Sequence, residues 1–317
     1  MHSYLEFEKP VADLEGQIQE LRSLAEKGAA VDVQDEIEKL EAKATQALTD
    51  LYLKLTPWQK TQVARHPDRP HFVDYVGRLV EDFTPLAGDR AFGEDAAIVG
   101  GFGRIQGQPV AVIGHEKGSD TASRLHHNFG MAKPEGYRKA VRVMELAERF
   151  GLPVVSLVDT AGAYPGIGAE ERGQAEAIAR STDACLGLGV PNVAVIIGEG
   201  GSGGAIAIAA TNRVYMLEHA IYSVISPEGA ASILWRDSAR AQDAATGMKI
   251  TAQDLLRFKV IDGIVPEPVG GAHRAPEKVI DAAGALIAKA LGELAPLSAD
   301  ELRNARWDKF LAIGRTL

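Results

Sequence analysis

Between the β-branched apolar run Val193 to Ile197 and the small-residue run Ala205 to Ala210 lie seven residues, Gly198-Glu199-Gly200-Gly201-Ser202-Gly203-Gly204. The pattern predicts a strand, a glycine loop and a helix start near Gly203. Five missing Cβ atoms leave backbone N–H groups bare. The first turn of a helix adds unpaired amides and the positive end of a dipole, so an anion or a developing oxyanion is the guest such a loop suits.

Two familiar signatures overlap here, and the residues alone leave both open. Gly198, Gly200 and Gly203 satisfy G-x-G-x-x-G, and Glu218 falls about 20 residues on, as a dinucleotide site would want. Against it, nearly two hundred residues precede a loop that should be the first turn of its domain. Gly200 to Gly204 also fits G-x-S-x-G, the elbow that exposes a nucleophilic serine, here Ser202. Its partners are hard to find: His219 is close in sequence, and His273 sits in a Gly-Gly-Ala-His-Arg loop. A third reading is a glycine loop needed only for close helix–strand packing.

The chain has 317 residues, enough for a substantial core in one or two domains. Its only cysteine is Cys185. That excludes a disulfide framework and a cysteine zinc site, and it suits a reducing compartment, so a cytoplasmic location is expected. The N-terminus lacks a basic segment followed by an apolar one, and the longest apolar stretch is broken by Glu199 and the glycines, so neither export nor membrane spanning is expected. A net charge of −9, from 34 basic and 43 acidic residues, argues against wholesale nucleic-acid binding.

Residues 1–55 read as a helical hairpin. Val11, Leu14, Ile18 and Leu21 recur at helical spacing, and Val33, Ile37, Leu40, Ala44, Leu48, Leu51 and Leu55 repeat it after a break at Lys27-Gly28-Ala29. The narrow stripe, flanked by charges such as Glu15, Glu20, Glu36 and Lys39, predicts a seam against the body or another subunit, an assembly element rather than a chemical one. From residue 56 the pattern becomes α/β. A β-hairpin is predicted over 96–114 with its turn at Gln106-Gly107. Helices are predicted near 134–150, 173–188, 203 onward, 228–235, 239–246, 251–258 and 276–294. Strands are predicted at 154–158, 193–197, 214–217, 222–225 and 260–265.

Asp159 to Gly168 ends the strand before the glycine loop, so Gly162, Ala163, Tyr164 and Gly166 are candidate walls of the same cleft, with Gly200 and Gly201 opposite. Lys117, Arg124, Lys133 and Arg138 form a local excess of positive charge that could dock an anionic tail such as a cofactor phosphate. Glu170-Glu171-Arg172 is read as helix capping and solvated charge. His126-His127 lacks the ligand company that a metal site needs. Ser226-Pro227-Glu228 has the form of a helix N-cap.

Several segments together resemble one family. GEGGSGGA at Gly198 to Ala205, DTAGAYPG at Asp159 to Gly166, NFGMAKPEGYRKA from Asn128, SVISPEGAASILW from Ser223 and PEPVGGAHR from Pro266, with Ala64-Arg65-His66-Pro67, are similar to the carboxyltransferase alpha subunits of bacterial acetyl-CoA carboxylase. One departure is Ala161, where the family pattern has proline. The resemblance implies a crotonase-like spiral of ββα units over 56–317. It implies transfer of carboxyl from carboxybiotin, borne by biotin carboxyl carrier protein, to acetyl-CoA, giving malonyl-CoA in the first committed step of fatty acid biosynthesis. It assigns the oxyanion-hole amides to Gly203 and Gly204, with no side-chain base required. It also implies a beta subunit carrying the zinc, in an assembly of two alpha and two beta chains, biotin carboxylase in the larger complex, and no cofactor or metal held by this chain. A serine hydrolase using Ser202 and a noncatalytic scaffold subunit are the rival readings.

Overall fold

The computed structural model describes residues 3–26 and 34–315; the predicted break at 27–29, and Val33, lie outside them. Helices α1 (Lys9–Glu26) and α2 (Gln34–Tyr52) pair through the predicted stripes. Ile18, Ile37 and Ala44 bury one end of the seam. Val11, Leu48, Tyr52 and Leu55 bury the other together with Val63 of α3 (Pro57–Ala64), so the seam closes on the body of the same chain. Glu15 is tied to Arg274 at 2.8 Å, a second anchor. Thr56 and Gln59 form a capping box that starts α3, and α4 (Phe72–Leu79) comes next.

The sheet consists of β1 (Glu81–Pro85), β2 (Ile98–Ile105), β3 (Gln108–His115), β4 (Val154–Thr160), β5 (Asn192–Gly201), β6 (Arg213–Leu217), β7 (Ile221–Ser223) and β8 (Gly263–Val265). Its order is β1-β2-β3-β4-β5-β6-β8, with β7 paired to β5. The β2–β3 hairpin is antiparallel as predicted. Its turn residues Gln106 and Gly107 have φ of 49° and 78°, the left-handed pair that a tight hairpin needs. From β3 onward the pairs are parallel. The intervening helices are α5 (Thr121–His126), α6 (Pro134–Phe150), α7 (Ile167–Glu171), α8 (Gln174–Gly187), α9 (Ser202–Ala209), α10 (Pro227–Trp235), α11 (Ala241–Met248), α12 (Ala252–Arg257), α13 (Pro276–Leu294) and α14 (Ala299–Ala312). Parallel strands covered by helices bury both faces, which is why β4 and β5 are buried at every position.

Strand β5 does more than the sequence predicts. Val193 to Ile196 pair with β4 and β6. Glu199 to Gly201 then pair with β7, so half of the expected glycine loop is strand. Glycine disfavours a strand when alone, but here β7 supplies hydrogen-bond partners and the Tyr222 ring covers Gly200. The opposite end of the sheet is fixed by Arg306 on α14, a fully buried cation. It donates to Asn192 Oδ1 at 3.1 Å, to Asn212 Oδ1 at 2.6 Å and to the carbonyls of Leu186 and Leu188. Burial pushes this guanidinium down to about 10.

Candidate active site

Strands β4 and β5 are parallel neighbours, so both their carboxyl ends reach the same edge of the sheet. The segments leaving the two strands lie against each other, backbone on backbone. A Cβ on Gly198 would sit 2.5 Å from Asp159 Oδ1, one on Gly201 would collide with the Ala161 carbonyl, and one on Gly204 would come within 2.9 Å of the Ala163 nitrogen and of Tyr137 Oη. Gly203 is less confined, its nearest neighbour being Ile178 Cγ2 at 3.2 Å. The predicted cleft walls, Gly162 and Ala163 with Gly200 and Gly201, are therefore brought together. Thr160 Oγ1 holds Gly162 by accepting from its N–H at 3.0 Å and donating to its carbonyl at 2.8 Å. Tyr164 is held one step further out: its N–H donates to the Ala132 carbonyl, and Gln174 Nε2 donates to the carbonyls of Ala132 and Tyr164. Gly166 caps α7, with the Tyr164 ring where a side chain would be.

Helix α9 starts at Ser202, directly after the strand, with φ of +52°. A non-glycine residue in the left-handed region is strained and marks a forced turn. No side chain caps this helix. The amides of its first turn have no carbonyl one turn back to donate to, so Gly203 and Gly204 offer N–H groups at a helix N-terminus. Tyr137 Oη lies buried without a partner, and the buried His115 ring faces the Gly204 backbone. Burial pushes the His115 imidazole down to about 4, which keeps it neutral near pH 7.

Around these backbones lies a network of charges. Glu199 accepts from Arg65 Nε at 2.6 Å and Lys117 Nζ at 2.9 Å, while its own N–H donates to Asp159 Oδ1 at 2.9 Å. Lys117 also pairs with Asp159 at 2.7 Å, and Arg65 reaches Glu228 on α10 at 2.6 Å. Burial alone would raise the carboxyls of Asp159 and Glu199; Lys117, aided by Arg65 at Glu199, overcomes it and holds both below the usual carboxylate range. These groups line a cavity of about 220 Å³ with Arg124 and Phe129 at its wall. In the sequence Glu199 stands out only as an interruption of the apolar run. A lone charged residue within a segment of glycines is the signal that something grips it.

Of the four candidate anion-docking cations, Lys117 and Arg124 line this cavity together, while Lys133 and Arg138 do not line it. Lys117 is consumed by Asp159 and Glu199, and Arg138 by Asp89, Glu135 and the Arg172 carbonyl. Arg124 donates to the carbonyls of Gly118 and Pro67, and Lys133 lies 5.3 Å from the centre of the Tyr164 ring. Arg172, expected to be solvated, bridges Glu135 at 2.5 Å. The Ser226 cap is as expected, its hydroxyl oxygen accepting from the Gly229 N–H at 3.1 Å.

The dinucleotide reading fails on geometry, because Glu199 to Gly201 carry strand pairing and Glu218 accepts from the Glu267 N–H. For Ser202, His219 packs edge-on against Tyr52 and His273 stacks on His66. Among the described residues no hydrogen bond activates the serine. Glu8, His66 and His273 approach one another closely enough to suggest a metal. The two imidazoles, however, are stacked 3.7 Å apart and 9° from parallel, so their in-plane lone pairs run side by side instead of converging. Both Glu8 oxygens already accept, from the Leu5 N–H and the Tyr52 hydroxyl. This is a packed joint between the N-terminal segment and the body.

Comparison with known proteins bears on this geometry. The family model described as acetyl co-enzyme A carboxylase carboxyltransferase-like matches residues 4–314. The acetyl-coenzyme A carboxylase carboxyl transferase subunit alpha of Methylobacterium nodulans is 72% identical over 317 residues, all of both chains, and that of Xanthobacter autotrophicus is 71% identical over the same span. In structure, the chain resembles the transcarboxylase 12S core (TM-score 0.59, 20% identity, 72% of this chain and 42% of that one). It also resembles the beta subunit of P. aeruginosa geranyl-CoA carboxylase (TM-score 0.57, 19% identity, 74% and 43%). The fold is thus the crotonase-like carboxyltransferase fold, and by its full-length match the chain belongs to the family of acetyl-CoA carboxylase carboxyltransferase alpha subunits.

Proposed function

We propose that this chain supplies the alpha side of a shared cleft in which carboxyl passes from carboxybiotin, on its carrier protein, to the methyl carbon of acetyl-CoA, giving malonyl-CoA. The observation that carries the reading is the uncapped first turn of α9, set where two strand ends meet backbone to backbone. Transfer requires an enolate on the thioester and leaves negative charge on the biotin ureido oxygen. The N–H groups of Gly203 and Gly204 are donors fixed before the reaction, and one such donor is worth roughly 3 kcal/mol of barrier. Gly162, Ala163, Tyr164, Gly166, Gly200 and Gly201 form the cleft wall. Of the cations, Arg124 and Lys133, which feel Asp120 and Asp95 only through space and make no close ion pair among the described residues, suit an anionic tail best.

The beta subunit completes the site, in an assembly of two alpha and two beta chains with the zinc on the beta side, alongside biotin carboxylase in the cytoplasm. Exposed Val224, Ile233 and Leu234, on and beside α10, support a partner covering this face. Residues 1–55 serve assembly and 56–317 carry the chemistry. One observation favours the hydrolase reading: the strained φ of Ser202 is the backbone of a nucleophile elbow.

Reconstitution with the cognate beta subunit tests both. Malonyl-CoA formation should need both chains, and Ser202→Ala should retain it within about threefold, since no nucleophile is lost. Gly203→Pro deletes one donor at the less confined position and should lower kcat about 100-fold. Turnover by the alpha chain alone, or its abolition by Ser202→Ala, would overturn the reading.

A further inference from the structure

Within Gly198 to Gly204, Glu199 and Ser202 alone have side chains, and Ser202 Oγ has no partner among the described residues. The segment can be gripped from outside only through Glu199. Both of its carboxylate oxygens are taken, one by Arg65 and one by Lys117, and its backbone N–H is held by Asp159. Each cation has a second anchor: Lys117 on Asp159 at the end of β4, Arg65 on Glu228 in the first turn of α10. Glu199, four positions before Gly203, is thus tied directly to Arg65, Lys117 and Asp159, and through Arg65 to Glu228 on α10.

We propose that Arg65 is a positioning residue for carboxyl transfer, its guanidinium clamping Glu199 against Glu228 so that the α9 amides stay preset. The inference rests on Gly203 and Gly204 being the donors. Glycine contributes no side-chain packing and the most conformational freedom, so a donor built from glycines needs rigidity from elsewhere. Pairing of Glu199 to Gly201 with β7 passes the restraint along the strand to Ser202. The guanidinium suits this bridging task because its planar fork presents separate donors in a fixed geometry, Nε to Glu199 and Nη1 to Glu228, whereas the Lys117 ammonium that bridges Asp159 and Glu199 is a point charge. Misplacement of reacting groups by even about 1 Å can cost about 100-fold, so a clamp that touches no substrate still governs rate.

The test uses the reconstituted alpha–beta enzyme with acetyl-CoA and carboxybiotin. Arg65→Gln should lose about tenfold in kcat while KM for acetyl-CoA stays within about twofold, the signature of a contact that acts on the transition state only. Arg65→Lys should recover part of that loss. In the double variant Arg65→Gln/Glu199→Gln the losses should not multiply, because both changes open one clamp. Glu228→Gln, at a partly exposed carboxylate, releases only the outer arm and should lower kcat about threefold; it serves if Arg65→Gln fails to assemble. Full kcat in Arg65→Gln, or in Glu228→Gln where that variant stands in, would overturn the clamp, as would losses that multiply. Gly203→Pro run in parallel separates the two ideas: full activity there defeats the donor reading itself, whereas an impaired Gly203→Pro beside an intact Arg65→Gln defeats the clamp alone.

Discussion

The strand-end site and the N-terminal hairpin are built on opposite uses of side chains. At the site, backbones touch because side chains are missing, and the charges at its centre, Asp159, Glu199 and Lys117, are largely buried and paired. In the hairpin, α1 and α2 meet through a narrow apolar stripe while their charges stay in water, as with the ion pair of Arg22 and Glu41. A seam of exchangeable apolar groups tolerates change, because burial has no direction. A site of close backbone contacts and desolvated charges does not.

The sharpest way to break this contrast is Glu267→Gln. Its carboxylate holds Arg69 at 2.6 and 2.9 Å with both side chains buried, behind the site, where Arg69 also donates to the Ile197 carbonyl at 2.7 Å. Leaving that guanidinium buried and half unpaired should cost about 3–5 kcal/mol in denaturant unfolding. Arg22→Ala in the hairpin should cost no more than about 1 kcal/mol, because that pair is exposed. Next comes Gly201→Ala, which drives a methyl group into the Ala161 carbonyl and should reduce carboxyl transfer about 100-fold. Its counterpart Gly16→Ala, in α1 with nothing within 4 Å, should leave activity unchanged and raise stability by about 0.5–1 kcal/mol.

A pH effect probes the same ion pair. Burial opposes the ionised form of Glu267, yet Arg69 holds its carboxyl down to about 2 from 4.5. A depressed carboxylate stabilises the fold fully above its unfolded value. That contribution should fade as pH falls from about 4.5 toward 2, and Glu267→Gln should flatten the melting-temperature curve over this window.

Much of the fold is legible because local and global signals agree. The 276–294 helix has its apolar stripe and a proline start, and the hairpin turn has Gln106-Gly107 where left-handed residues are needed. The elements that the pattern misses lack such a signal. Strand β1, Glu-Asp-Phe-Thr-Pro, alternates nothing and exists because β2 offers it an edge, with a register shift between Glu81 and Thr84. Helix α14 has a weak apolar face, and its one local signal, the capping box of Ser298 and Glu301, is not part of the apolar pattern; Arg306, with Arg303, Lys309 and buried Leu302, holds it to the body. At the site, the glycines are legible but their purpose is half hidden. A sequence shows that a Cβ is absent, not that Asp159 or Ala161 would occupy its place. The network of Arg65, Lys117, Asp159, Glu199 and Glu228 joins residues up to 163 positions apart, and no local spacing encodes it.

The placement of Arg306 bears on biosynthesis. Translation delivers the chain from its N-terminus, and domains fold as their segments emerge. The two asparagines at the foot of the sheet, Asn192 and Asn212, and the carbonyls of Leu186 and Leu188 find their cation only when the last helix leaves the ribosome. Until then the nascent protein holds a nearly finished sheet with an open lower edge. Premature termination before residue 306 should therefore yield a product that quality-control proteases clear rather than a slightly shorter working subunit.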